Sequence, residues 1–239
     1  MKTIIHKNTY NNLDALEYTS KDAHKLVFLQ HGIYGNKEKS MNLLGVSLVK
    51  LGYHVVAIDA YKHGSRSEEP FASKDEDHST LETMEVVKHT AKDIKSIYVS
   101  HFKEIYSQFD IIGISMGGLM AHYITTISES INTAVALISS PLFIEAADYT
   151  FPEEKRKDYP ESETIRKDIE AMDPSKQINK MTFNRLIMLN GKHDTTIPTK
   201  QSEQFYLDHP ELNIIFKTFD TDHKISHAMH ETLLDLLKD

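Results

Sequence analysis

The sequence predicts an α/β protein: a mostly parallel central sheet flanked by helices, folded as one domain over residues 1–239. Short apolar runs recur along the chain, among them KLVFLQ at 25–30, YHVVAI at 53–58, FDIIGI at 109–114 and RLIMLN at 185–190. Longer amphipathic stretches separate them, with apolar residues at helical spacing. The connections are short. Strand followed by helix, repeated in this way, builds a parallel sheet covered on both faces.

Element by element, 25–30 is a buried strand, and 40–51 follows as a helix that Gly52 stops. Residues 53–58 form a second buried strand ending at Asp59, and a polar loop runs on to about Thr80. Leu81, Met84, Val87, Ala91, Ile94, Ile97, Tyr98 and Phe102 then keep helical spacing over 80–106. Strand 109–114 leads into a helix over 116–128, and TAVALIS at 133–139 is the next strand. After strand 185–190 come a helix at 199–208, a strand at 213–219 and a closing helix at 227–238. Residues 142–182 break the rhythm. With Pro152, Pro160, Pro174 and many charges, they read as a helical lid inserted into the domain. The alternative is a linker between two domains, but the 57 residues after 182 are too few for an independent one.

Thirty-five acidic residues against 27 basic ones leave a net charge of −8, without a long basic run. Nucleic acid and anionic membrane surfaces are therefore not expected as partners. The absence of cysteine rules out disulfides, zinc–thiolate sites and thiol catalysis. No stretch of 18 apolar residues is present, so no membrane span is expected. The N-terminal MKTIIHKNTYNN lacks the apolar core of a secretion signal. A cytoplasmic location is the default expectation.

The segment Gly113-Ile114-Ser115-Met116-Gly117 fits G-x-S-x-G between a strand and a helix. A serine hydroxyl is a weak nucleophile that needs exposure at a sharp turn and a base beside it. Small flanking residues let the backbone crowd together there. A glycine-rich turn holding a phosphate at the helix N-terminus would use the same residues. Attack on a carbonyl also needs two N–H donors aimed at the developing oxyanion. Met116, directly after the serine, offers one. Ile33, after His31-Gly32 at the end of strand 25–30, offers the other, with His31 orienting that loop.

Asp194, in Gly191-Lys192-His193-Asp194, follows strand 185–190, where a carboxylate can hold an imidazole in one tautomer. After the last strand the histidines are crowded. His223 falls in the loop, His227 in the first turn of the closing helix, and His230 one turn on. A base that reaches Ser115 comes from the loop, so His223 is the candidate. A metal held by His223 and His227 lacks a third ligand, and no metal is expected.

With these motifs in place, the sequence resembles the α/β-hydrolase superfamily over essentially its whole length. Four features are similar to small bacterial esterases related to dienelactone hydrolase and prolyl-oligopeptidase-like enzymes. They are His31 to Glu38, Asp59 to Arg66, Ser115-Met116-Gly117-Gly118 and Asp222-His223-Lys224. The order Ser115, Asp194, His223 is that of α/β-hydrolases. The resemblance implies His223 as base, Ile33 and Met116 as oxyanion donors, and ester hydrolysis without a cofactor. One departure is Asp222, where a glycine is usual; its carboxylate is expected to perturb the neighbouring base. His63 and Arg66 read as loop-fixing residues, and Asp59 is an alternative acid.

The expected reaction is therefore cleavage of a carboxylic ester, acyl or aryl, through an acyl-enzyme on Ser115. Tyr34, Leu142 and Phe143 are candidate substrate contacts, and Tyr149, Phe151 and Tyr159 are further wall or lid-core residues. A thioesterase or acyltransferase would use the same triad. A ligand-binding protein on the same fold is the reading from another class. The expected partner is a small-molecule ester, with a homodimer left open.

Overall fold

The computed structural model describes residues 2–67 and 76–238. Among them, eight strands form one sheet. They are β1 (Ile4–Tyr10), β2 (Leu13–Thr19), β3 (Lys25–Gln30), β4 (Tyr53–Ile58), β5 (Phe109–Ile114), β6 (Ile131–Leu137), β7 (Arg185–Gly191) and β8 (Ile214–Phe219). Their order in space is β1-β2-β4-β3-β5-β6-β7-β8. The six strands from β3 to β8 run parallel to their neighbours within that set. At one edge, β1 pairs with β2 and β2 with β4 in the antiparallel sense.

The helices are α1 (Lys37–Ser40), α2 (Val46–Lys50), α3 (Glu76–Ile97), α4 (Met116–Ile124), α5 (Phe143–Thr150), α6 (Glu153–Arg156), α7 (Ser162–Met172), α8 (Thr199–Asp208) and α9 (His227–Leu236). A π-helical turn, Met41–Gly45, joins α1 to α2, so the segment read as one helix at 40–51 is a single irregular helix.

Side chains alternate across a strand, so a strand buried on both faces feeds two cores. Leu26 and Phe28 of β3 join one core with Val87, Ala91 and Ile94 of α3 and Met120 of α4. Val27 and Leu29 join the other with Leu48 of α2 and Met229 and Leu233 of α9. On β7, Leu186 and Met188 face the first core while Ile187 and Leu189 face the second. Each such fully buried aliphatic side chain contributes about 1.5–3 kcal/mol relative to exposure. The near-continuous apolar runs are therefore a requirement of the three-layer arrangement.

Helix boundaries differ from the sequence expectation for local reasons. The run at 80–106 starts earlier, at Glu76, and leaves α-helical geometry at Ile97 for a π turn, Tyr98–Phe102. The helix expected to reach 128 stops at Ile124, where Thr125 and Thr126 hydroxyls donate to the His122 and Tyr123 carbonyls at 2.6 and 2.8 Å. Those threonines satisfy the orphan carbonyls of the helix end. The strand expected at 133–139 begins at Ile131 and ends at Leu137, because Ile138 adopts φ 46°. The polar loop expected up to Thr80 lies partly outside the described residues.

Residues 142–182 hold α5, α6 and α7 with short 3-10 turns at Pro174–Lys176 and Ile178–Lys180. Fully buried Asp173 ties this segment together. Its Oδ2 accepts the Ile144 N–H at 2.9 Å, and its Oδ1 accepts from Ser175 N–H and Oγ–H. Among the described residues, no helix is long and apolar enough to cross a membrane.

Candidate functional site

The parallel strands all end on one edge of the sheet, and the loops after β3, β4, β5, β7 and β8 meet there. Ligand sites of open α/β sheets lie beyond this edge. Between β5 and α4 the chain reverses at Ser115, which takes φ 55°, ψ −114°. A non-glycine residue in that region is strained and persists only where its surroundings hold it. Here the Ser115 N–H donates to the Leu137 carbonyl at 2.9 Å, and its own carbonyl accepts from Gly118 and Leu119 N–H at 2.7 and 3.1 Å.

The glycines are required by close approach. A Cβ on Gly113 would lie 1.8 Å from the Gly117 carbonyl oxygen, and one on Gly117 would lie 2.6 Å from that of Gln30. The sharp strand-to-helix turn closes only because neither side chain exists.

Three residues from three loops form one hydrogen-bonded chain. The Ser115 Oγ lies 2.8 Å from His223 Nε2, and His223 Nδ1 lies 2.7 Å from Asp194 Oδ2. With Nδ1–H donating to the carboxylate, Nε2 presents its lone pair to the serine O–H. The Asp194 side chain is fully buried, and its Oδ1 accepts the Thr196 and Ile197 N–H groups at 2.9 Å each. Both carboxylate oxygens are thus fixed. Gly191 makes the approach of the last loop possible, since a Cβ there would lie 2.2 Å from the Asp222 carbonyl oxygen. That glycine was not singled out in the sequence, although its place at the end of β7 offered the signal.

Ile33 sits in the loop between β3 and α1. The carbonyl of Gly32, in the same peptide group as the Ile33 N–H, accepts from His31 Nδ1–H at 2.8 Å and from Gly35 N–H at 2.9 Å. No described peptide bond is cis, so the Ile33 N–H points opposite to that anchored carbonyl. A Cβ on Gly32 would be 3.4 Å from the Ser115 Cβ, which places this peptide beside the serine. Met116 opens α4, so its N–H has no intrahelical acceptor.

His31 is 2 % exposed, and its Nε2 accepts the Ala60 N–H at 3.0 Å. Both ring nitrogens are used in the neutral form. Burial, chiefly, lowers its pKa to about 4, which keeps it uncharged. Asp59, weighed above as an alternative acid, is committed elsewhere. It accepts from Lys37 N–H and Nζ at 2.9 and 2.6 Å and from Ser65 N–H and Oγ–H at 2.9 Å each. Burial opposes its charge, but these donors hold its pKa below the usual value. Asp222 turns outward and pairs with Lys224 at 3.0 Å, which lowers its own pKa.

A cavity of about 470 Å³ opens over Ser115, lined in part by Ile33, Met116, Leu119 and Phe143. Tyr34 and Phe143 stand on its wall, as do Tyr149 and Phe151. Leu142 is not among the lining residues; it packs, partly buried, against the core at the start of α5. Met84, Ile165, Ile169 and Ile197 also line the cavity and were not expected to. One stretch of wall is charged. The Asp148 carboxylate takes Arg166 Nε and Nη2 at 3.1 and 3.0 Å and also pairs with Arg156 Nη1. Among the described residues no cluster fit to hold a metal ion is present.

The chain has relatives among known proteins. The dienelactone hydrolase family model matches residues 13–206. The YitV protein of Bacillus subtilis (strain 168), whose name carries the word esterase, is 25% identical over 220 residues, covering 85% of this chain and 84% of that protein. The crystal structure of TT1662 from Thermus thermophilus superposes with a TM-score of 0.82 at 20% identity, covering 100% of this chain and 98% of that one. The Pyrococcus furiosus esterase Pf2001 gives 0.69 at 17% identity, covering 99% and 89%. The eight-stranded sheet is the α/β-hydrolase fold, and the family match supports a hydrolase or esterase activity. The chain belongs to the dienelactone hydrolase family.

Proposed function

We propose that this protein is a serine hydrolase that cleaves carboxylic esters through an acyl-enzyme on Ser115. The observation that carries the reading is the chain Ser115–His223–Asp194, with heavy-atom distances of 2.8 and 2.7 Å, whose serine lines a largely apolar cavity.

In the first half-reaction His223 Nε2 takes the serine proton as Oγ attacks the ester carbonyl. The carbonyl oxygen becomes an oxyanion within reach of the Ile33 and Met116 N–H groups. Asp194 stabilises the imidazolium through Nδ1–H. His223 then returns the proton to the departing alcohol. In the second half water attacks the acyl-enzyme as His223 removes its proton, and the imidazolium then returns that proton to Ser115 Oγ as the acid leaves. Each backbone donor is worth roughly 100- to 1000-fold in rate. No step calls on a cofactor.

The helices α5 to α7 act as a lid in this reading, since Phe143, Phe151 and Ile165 present apolar wall above the serine. That surface favours acyl or aryl esters over polar peptides. A panel of 4-nitrophenyl esters of increasing chain length, with a peptide amide alongside, tests it. Turnover of the esters that is lost in Ser115→Ala supports the reading; faster cleavage of the peptide than of any ester overturns the substrate assignment.

A further inference from the structure

Ile33 is flanked by two peptide carbonyls, and a buried histidine sits on each. His31 holds the Gly32 carbonyl from one side. His63, from the loop after β4, sets Nε2 2.8 Å from the Ile33 carbonyl oxygen and Nδ1 2.8 Å from that of Tyr61. His63 is 2 % exposed and is not among the residues lining the cavity. Its partners at both nitrogens are carbonyl oxygens, which only accept. A bond to the Ile33 carbonyl requires the ring proton on Nε2.

Two further ties join the same two loops. The Ala60 N–H donates to His31 Nε2, and Asp59 takes the Lys37 N–H and Nζ. The loop after β4 is itself held in place. Arg66 Nη1 donates to the Asp59 carbonyl at 3.2 Å, and Arg66 Nη2 pairs with Asp93 of α3 at 2.7 Å. The Tyr61 N–H donates to Thr90 Oγ1, also of α3, at 2.9 Å. The segment carrying Ile33 is thus braced by a loop that is itself anchored to a long helix.

We propose that His63 is a positioning residue of the oxyanion site. By holding the Ile33 carbonyl it fixes the peptide after Ile33, as His31 fixes the peptide before it, so that the residue carrying the N–H is clamped from both sides. An N–H donor contributes to the transition state only if it meets the oxyanion without reorganising. Without His63 the 33–34 peptide loses its tie to the loop after β4, and the 32–33 peptide that carries the donor is held only through the Gly32 carbonyl. A misplacement of that donor by about 1 Å costs on the order of a hundredfold. The proposal rests on the serine hydrolase reading above.

The test compares wild type with His63→Leu, which fills the space without a donor, and His63→Gln, which keeps an N–H for Ile33. Ester kcat and KM, the inhibition constant of a trifluoromethyl ketone, and Tm are measured for each. His63→Leu is expected to lower kcat roughly a hundredfold, with KM within about threefold of wild type. Ketone affinity falls in step with kcat, because the ketone's oxyanion uses the same donors. His63→Gln recovers most of the loss. If His63→Leu does not fold, His63→Asn replaces it, since its shorter amide does not reach Ile33. A folded Leu or Asn variant with kcat within twofold of wild type overturns the proposal, as does a loss confined to KM with ketone affinity unchanged. In either case a wild type that reacts with a fluorophosphonate at Ser115 leaves the hydrolase reading standing. A wild type that neither reacts nor turns over esters overturns both.

Discussion

Asp194 holds His223 by one carboxylate oxygen, at 2.7 Å, while its other oxygen is held by the backbone of Thr196 and Ile197. The carboxylate therefore cannot rotate away from the imidazole without giving up two N–H bonds. In Asp194→Asn the side chain keeps its shape but offers an amide where His223 needs an acceptor, which favours the wrong tautomer. The expected result is a fall in kcat of about 10⁴-fold, with Tm within a few degrees of wild type. Ester kinetics alongside thermal melting check it; near-normal kcat in the folded variant would remove Asp194 from the mechanism.

Gly113→Ala places a methyl group 1.8 Å from the Gly117 carbonyl oxygen, where backbone rather than a flexible side chain must yield. A substitution of this kind costs about 4 kcal/mol or more, or prevents folding. Urea unfolding measures it. A loss below about 1 kcal/mol would mean that the turn relaxes easily, contrary to the crowding seen at Ser115.

His122 is wholly buried in α4, and burial lowers its pKa to about 3. His31 is lowered to about 4. The sign follows from linkage. The unfolded chain takes up protons at these histidines near pH 6.5, and the folded chain does not until far lower. Their stability is therefore complete above about pH 6.5 and is lost as pH falls toward 4, at up to about 1.4 kcal/mol per pH unit for each histidine. Unfolding curves between pH 7.5 and 4.5 should show this slope. His122→Phe should flatten it by about one proton's worth; an unchanged slope would assign the acid sensitivity to other groups.

Asp148 joins α5 to both Arg156 of α6 and Arg166 of α7. Its side chain is about one-third exposed, so the pairs are partly screened by water. Asp148→Ala is expected to change global stability by no more than about 1 kcal/mol. Limited proteolysis within residues 150–161 should nonetheless accelerate, and ester KM should rise. Equal proteolysis rates in wild type and variant would show that packing of α5 on α7, rather than charge, holds the segment.

Much of this arrangement is legible in the chain because burial on both faces writes long apolar runs. The strands at 25–30, 53–58, 109–114 and 185–190 stand where those runs stand. Ser115, Asp194 and His223 are each placed by the end of a strand. The edge hairpin is not legible in this way. Most of β1 is exposed on both faces, and its polar sequence IIHKNTY carries no core signal. Its clue was the pair Asn11-Asn12, both at positive φ, which forms the two-residue turn into β2. The charged stretch of cavity wall was also hidden. Asp148, Arg156 and Arg166 are three among the many charges of 142–182 and carry no signal of their own in the sequence, yet the fold brings them to one cavity with Ser115. Leu142, one residue before Phe143, turns to the core instead of the cavity because a helix start separates the two directions.

The most direct measurement is reaction of the intact protein with a fluorophosphonate, followed by mass spectrometry of the modified peptide. The serine hydrolase reading expects a single adduct on Ser115, absent in Ser115→Ala and strongly slowed in His223→Ala. A well-folded wild type that forms no adduct, or forms it at another residue, would contradict an activated serine and leave the cavity as a binding site.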